Sequence, residues 1–307
     1  MKKRIFALLA VFALLPGSAG SASAGFTDIS DSETAMAAAA LESMGIVAGT
    51  GTDIYSPSGA LTRAELAPLA VRAMGLEDRA GSHAAKTLFS DVTPGKWYTG
   101  YVNLAYSEGI INGYGNGKFG PDDNVTCGQA ATVLLRMLGY TESEIGMSWP
   151  NDYVSFANDL GLAGSLSLSA NCAVSRGQAA ILFYNAVKEP VSGSSRPYYE
   201  TVGGVASVES AIVLGNNATW DSDSGYLTAC LTGEAEAAIK YYRQKTTVPD
   251  TLVVSIGKLL MNSAGQVIGF LPDGLDLQAR LAAAADYAVI SKKSFKNLQK
   301  TVANIRS

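Results

Sequence analysis

Residues 109–122 read Gly109-Ile110-Ile111-Asn112-Gly113-Tyr114-Gly115-Asn116-Gly117-Lys118-Phe119-Gly120-Pro121-Asp122, and Thr126-Cys127-Gly128-Gln129 follows closely. Gly109 is a helix stop, and the closely spaced glycines around aromatics describe a tight, non-regular loop. Thr126 followed three residues on by Gln129 is a capping box, in which side chains satisfy backbone groups left unpaired at a helix start. The pattern recurs along the chain. Gly45-Ile46-Val47-Ala48-Gly49 lies 64 residues before Gly109-Ile110-Ile111-Asn112-Gly113, and at the same offset Pro57, Leu61 and Thr62 match Pro121, Val125 and Thr126. Phe26-Thr27-Asp28-Ile29 returns as Phe89-Ser90-Asp91-Val92, and an eroded third copy runs from about Trp149 through Gly161-Leu162-Ala163-Gly164 to Val174-Ser175-Arg176-Gly177-Gln178.

Each unit reads as helix, glycine-rich loop, helix. The spacing of Tyr98, Tyr101, Val102 and Ala105 predicts the first helix of the second unit over 97–108. The second helices open on three capping boxes in register: Thr62 with Glu65, Thr126 with Gln129, and Ser175 with Gln178. Behind each box one apolar face follows: Leu66, Leu69, Ala70 and Ala73; Ala130, Val133, Leu134 and Met137; Ala179, Leu182, Phe183 and Ala186. A single hairpin cannot bury such a stripe, so the three are expected to share a core.

Two features exceed what packing requires. The Gly113–Asp122 loop exposes backbone amides and a ring, a surface suited to a sugar; the structural alternative is that the glycines serve turns and Phe119 plugs the bundle. Arg63 and Arg176 occupy the first helical position, where a cation opposes the macrodipole. A free helix N-terminus beside a guanidinium is a receptor for a carboxylate or phosphate, although the arginine stem can also cover apolar surface.

Phe-x-Asp-Ile/Val, Trp97-Tyr98, the glycine-aromatic loop and Thr-Arg-Ala-Glu together resemble the S-layer homology repeat of bacterial cell-surface proteins, over about 26–188. The resemblance implies a three-pronged pseudo-trimer with one helix per repeat in a central bundle. It also implies non-covalent binding of an anionic secondary cell-wall polysaccharide, often bearing a ketal-linked pyruvate, in grooves between repeats. The glycan-binding set carried over is Arg63, Arg176, Trp97, Gly113, Tyr114, Asn116 and Gly117, with the motif arginine at Arg63 and Arg176. The chain departs from the pattern at Cys127, which stands at the arginine position of the second unit and weakens or repurposes that site. The first loop, Gly49 to Tyr55, lacks the aromatic-glycine pattern, and the third, Gly164 to Leu168, is shortened by three residues. Which arginine meets the Tyr114 loop is left open by the spacing.

A basic start, an apolar run from Ile5 to Leu15 and the ending Ala22-Ser23-Ala24 predict a secretory signal peptide over 1–24, too short to span a membrane. Its removal takes the net charge from −4 to −7. The polar tail from Lys296 to Ser307 has no pattern of a covalent sorting signal, so attachment to the cell is expected to be non-covalent. The absence of Lys/Arg runs beyond the first residues disfavours nucleic-acid binding. A single histidine, His83, and three cysteines leave no basis for multi-histidine or multi-cysteine metal and triad chemistry. Neither a cofactor nor a metal is expected.

The expected organisation is α+β and multidomain: leader 1–24, all-α units over 25–80, 87–140 and 147–188, a linker over 189–197 by its Pro, Gly and Ser content, and a small β-rich, barrel-like domain over 198–307. Within the last, strands are predicted over 198–208, 211–214, 225–231, 251–261 and 266–271, with a short helix over 234–243. Cys127, Cys172 and Cys230 are expected as three thiols, a Cys127–Cys172 bridge being the alternative. The expected function is a secreted, non-enzymatic protein anchored at the bacterial cell wall, with wall polysaccharide and other surface-layer proteins as partners. The alternative is a wall-anchored glycan hydrolase using carboxylates among Asp221, Asp223, Glu234 and Glu236.

Overall fold

The computed structural model describes residues 25–201, 204–216, 225–231, 239–253 and 255–273. The expected leader and all four acidic candidates lie outside them. The fold is mixed α+β: helices over the first part, then a curled antiparallel sheet. The main helices are α1 (Ser32–Ser43), α2 (Arg63–Ala73), α3 (Thr99–Ser107), α4 (Cys127–Met137), α5 (Asn151–Asp159) and α6 (Arg176–Lys188). Short helical turns at Glu77–Ala80 and Glu142–Ile145 follow α2 and α4. Among the described residues no helix is long and apolar enough to cross a membrane.

α2, α4 and α6 each start at a complete capping box, Thr62 with Glu65, Thr126 with Gln129 and Ser175 with Gln178. Immediately before these caps, three short extended segments meet in a closed ring of backbone hydrogen bonds. Leu61 N–H donates to Val174 O at 2.9 Å, Val174 N–H to Val125 O at 2.8 Å, and Val125 N–H to Leu61 O at 2.8 Å. All three residues are buried. The helices then pair across units rather than within them: α2 packs on α3, α4 on α5, and α6 back on α1. A helix stripe therefore finds its apolar partner on the next unit around the ring, which is why no single hairpin is self-sufficient.

The sheet is ordered β3-β2-β1-β4-β5, all neighbours antiparallel, with β1 Ser207–Asn216, β2 Tyr226–Leu231, β3 Ile239–Arg243, β4 Ile256–Met261 and β5 Val267–Pro272. Gln244, just past β3, bridges Val267, so the sheet curls into a half-barrel. Two expectations are corrected here, and the expected linker takes a definite form. The helix expected over 234–243 is strand β3 across its described part, because Ile239, Tyr241 and Tyr242 are good strand formers and their backbone completes the ladder of β2. The strand expected from Tyr198 starts only at Ser207, after a 3₁₀ turn at Tyr198–Glu200 that buries Tyr198 and Tyr199 in the helical core. The expected linker is a hairpin: Pro190 bridges Pro197, and Val191 N–H donates to Arg196 O at 3.1 Å.

The sheet and the helices share α1. Its alanines Ala37, Ala38 and Ala40 face the helical core while Ala39 joins the interior of the half-barrel. A helix buried all round needs small residues where two layers close on it. Ser43, fully buried, locks the joint: its hydroxyl accepts from Phe270 N–H at 2.9 Å and lies within donor distance of Ala40 O at 2.7 Å. Tyr184 of α6 donates to Pro272 O at 2.6 Å on the same side.

Candidate functional site

The three joints of the ring are built alike. The first two N–H groups of α2 donate to Asp123 O and Pro121 O, those of α4 to Cys172 O and Ala170 O, and those of α6 to Gly59 O and Pro57 O, all at 2.8–2.9 Å. The third N–H of each helix donates to its cap hydroxyl at 3.2–3.3 Å. The expectation of free helix N-termini is thereby overturned: the neighbouring loop's carbonyls consume the donors that an anion would have used. Any anion recognition at these joints rests on side chains.

At the first joint Arg63 is 4% exposed. Its Nε donates to Phe119 O at 2.8 Å and Nη2 to Asn112 O at 2.7 Å, and the guanidinium lies over the Tyr114 and Phe119 rings at 4.7 and 4.6 Å. Burial lowers its pKa, opposed by Tyr114, Asp123 and Asp91, and an arginine under such conditions keeps its charge. Arg63, not Arg176, therefore meets the Tyr114 loop. Nη1 makes no hydrogen bond among the described residues, and Arg63 helps line a groove of about 390 Å³, within the size range of small-molecule sites. Gly113, Tyr114, Gln129, Arg136 and Trp149 line it. Tyr114, whose hydroxyl donates to Asp123 at 2.8 Å, supplies the exposed ring of the loop; Phe119 is fully buried and serves as the plug. Asn116 and Gly117 stand apart from the groove lining and hold the loop: Asn116 Oδ1 accepts from Lys118 N–H at 3.1 Å and Gly117 O from Ser90 N–H at 2.9 Å. Gly113 is required because a Cβ there would collide with the Phe89 ring.

The second joint repeats the design. Arg176 Nε donates to Tyr55 O at 2.9 Å, Nη2 donates to Ala48 O at 3.0 Å, and the guanidinium lies 5.0 Å from the Tyr55 ring centre. Burial pushes the Tyr55 hydroxyl up to about 12, and this hydroxyl donates to Arg176 O at 3.0 Å. The groove, about 200 Å³, is lined by Arg176, Glu65, Leu69, Arg72 and Trp97. Here the remaining guanidinium nitrogen lies 3.7 Å from Glu65, so the charge is partly neutralised; the equivalent residue of the first groove is the neutral Gln129. Trp97 thus belongs with Arg176. Its counterpart beside Arg63 is Trp149, which the sequence reading used only to mark the start of the third copy. The signal was available: Trp149 follows Trp97 by 52 residues, as Gly161 follows Gly109. The two indoles are 62% and 55% exposed, an uncommon state for so large an apolar ring.

The third joint differs. Cys127 and Cys172 form a disulfide with Cα atoms 5.6 Å apart, which corrects the expectation of three thiols. The ring brings the N-terminus of α4 onto the third loop, and the two cysteines meet there.

The Phe-x-Asp motif acts beneath the first two loops. Tyr55 and Ser56 N–H groups donate to Asp28 at 2.8 and 2.7 Å, and Phe119 and Gly120 N–H groups donate to Asp91, both at 2.8 Å. The hydrogen bond from Tyr55 leads in lowering the Asp28 pKa; at Asp91 burial opposes the shift and the Phe119 and Gly120 bonds prevail. Because both values are depressed in the fold, the stabilisation is complete above about pH 4 and fades as pH falls through the folded values. Amide exchange of Phe119 and Gly120 should therefore accelerate as the pH drops below about 4, beyond the intrinsic pH dependence, and Asp91→Asn should produce the same loosening at pH 7. Unchanged protection in both conditions would remove this role.

Residues 25–67 and 88–131 match the S-layer homology domain. Among similar proteins are the "Cell surface protein" of Thermoanaerobacter kivui, 34% identical over 194 residues, covering 62% of this chain and 25% of that protein, and the "Middle cell wall protein" of Brevibacillus brevis, 38% identical over 148 residues, covering 48% and 14%. An "Endoglucanase" of a Bacillus species is 29% identical over 102 residues, covering 33% and 10%. The chain spans a quarter or less of the length of these curated relatives. The two matched repeats and the surface-protein relatives support a cell wall-associated surface location.

Proposed function

We propose that this chain is a non-enzymatic surface protein held on the bacterial cell wall by three S-layer homology units in a pseudo-trimer, which bind an anionic secondary wall polysaccharide in the grooves between units. The observation that carries the reading is the repeated pairing of a fixed guanidinium with an exposed indole, Arg63 with Trp149 and Arg176 with Trp97. Two loop carbonyls hold each guanidinium in place, and in each groove the guanidinium is the cation that a carboxylate such as a ketal-linked pyruvate would meet, shared at the second groove with Glu65. The indole offers a flat apolar face on which a pyranose ring can stack. The hydrogen-bonded ring and the cyclic helix pairing support the pseudo-trimer, in which the third unit takes part as an S-layer homology repeat. Other surface-layer proteins are the second class of partner in this reading.

Co-sedimentation of the full chain with purified wall polymer should show binding that falls at least tenfold in Trp97→Ala/Trp149→Ala. It should fall similarly when the pyruvate is removed from the polymer by mild acid. Undiminished binding by the double variant would sink the groove mechanism.

The matched endoglucanase favours a second reading, a wall-anchored glycan hydrolase. Release of reducing ends from wall polymer, lost on substitution of Asp221, Asp223, Glu234 and Glu236, would establish it in place of the first.

A further inference from the structure

We infer that the chain takes its wall ligand at two joints and that the third is closed from within, its arginine replaced by a covalent staple and its ligand position filled by the chain's own carboxylate. The inference rests on the wall-binding reading above. Each joint has the same two parts, a side chain at the first helical position that grips the facing loop and a residue at the lip that covers the second helix. Arg63 grips Phe119 and Asn112, Arg176 grips Tyr55 and Ala48, and Cys127 grips Cys172 by a covalent bond. At the lips stand Trp149, Trp97 and Glu33. Glu33 precedes Trp97 by 64 residues, the offset that separates Gly45 from Gly109, so it holds the tryptophan position of the first unit.

Glu33 reaches the third loop as a ligand would. Its carboxylate accepts from Ser165 N–H at 3.4 Å and from the Ser165 hydroxyl. Gly164 makes room for it: a Cβ there would lie 2.5 Å from Glu33 Oε1 and 2.9 Å from Asn185 Nδ2. The loop, three residues shorter, folds onto this carboxylate. A ligand anion at this joint would meet neither a guanidinium at the first helical position nor an indole at the lip. It would instead meet a negative charge already holding the local donors, and like charges at such distances repel.

Native mass spectrometry and calorimetry of the full chain with a monosaccharide bearing a ketal-linked pyruvate test this. Two molecules per chain are expected, one in Trp97→Ala, one in Trp149→Ala and none in the double variant, while Glu33→Gln still binds two. Three molecules per wild-type chain, or one retained by the double variant, overturns the inference and leaves the wall-binding reading standing. No binding by the wild-type chain removes the wall-binding reading and the inference with it.

Discussion

Replacing Arg63 by alanine should destabilise the protein by about 3 kcal/mol, whereas Arg176→Ala should cost about half as much. The first change deletes two charge-assisted hydrogen bonds, at 2.8 and 2.7 Å, from a residue 4% exposed overall, and strips a cation from between two aromatic rings. The carbonyls of Phe119 and Asn112 are then left facing a void, since the surrounding loop is pinned from below by Asp91. Arg176 makes an equivalent pair of bonds, but its side chain is 15% exposed and water can take over part of its role. For a chain of this size, about 3 kcal/mol corresponds to a fall in Tm of about 6–12 °C. Arg63→Lys should recover only part of it, because one ammonium cannot span both carbonyls in the way a planar fork does. Thermal melts of the three variants check the order; an Arg63→Ala protein as stable as Arg176→Ala would mean that the burial of Arg63 contributes nothing.

The parts of this architecture legible in the sequence are those written in local chemistry. A capping box needs four consecutive residues, so Thr62, Thr126 and Ser175 announced their helices, and the glycine-aromatic loop announced itself by composition. What closes the ring is not local. The donors of α2, α4 and α6 look free in the sequence because their partners, Asp123, Cys172 and Gly59, belong to a neighbouring unit at a separation that no periodicity encodes. The same cyclic exchange decided which loop meets Arg63 and brought Cys127 to Cys172. Trp149 is hard to match to Trp97 in the sequence because it follows by 52 residues, twelve short of the 64-residue offset. The segment 189–197 has the composition of a linker, yet its two prolines face each other across a hairpin. Ala37 to Ala40 carried a signal that went unread: four consecutive small apolar residues in a helix indicate burial on every side, here between the helical core and the half-barrel.

Removing the staple should be the other large effect. Cys127 and Cys172 are 45 residues apart, and closing a loop of that length in the unfolded chain corresponds to about 4 kcal/mol of chain entropy. Cys127→Ala/Cys172→Ala should therefore lower stability by about 2–5 kcal/mol, the range seen when native bridges are lost. The consequence reaches beyond one joint. The ring has three hydrogen bonds and three grips, and each second helix packs against the first helix of the next unit, so opening one joint exposes the faces at both of its sides. With the staple gone, that joint keeps the Val174–Val125 ring bond, the bonds from Cys127 and Gly128 N–H to the third loop and the Glu33–Ser165 contact; no guanidinium takes over the grip. Placing arginine at 127 with alanine at 172 should not restore the loss, because the shortened third loop has to present two carbonyls in the geometry that Asn112 and Phe119 provide at the first joint. A reductant such as dithiothreitol should shift the denaturation midpoint of the wild-type chain towards that of the double alanine variant and leave the variant unmoved. A wild-type midpoint indifferent to complete reduction would show that the other two grips alone hold the ring, and the stabilising role assigned to the bridge would be wrong.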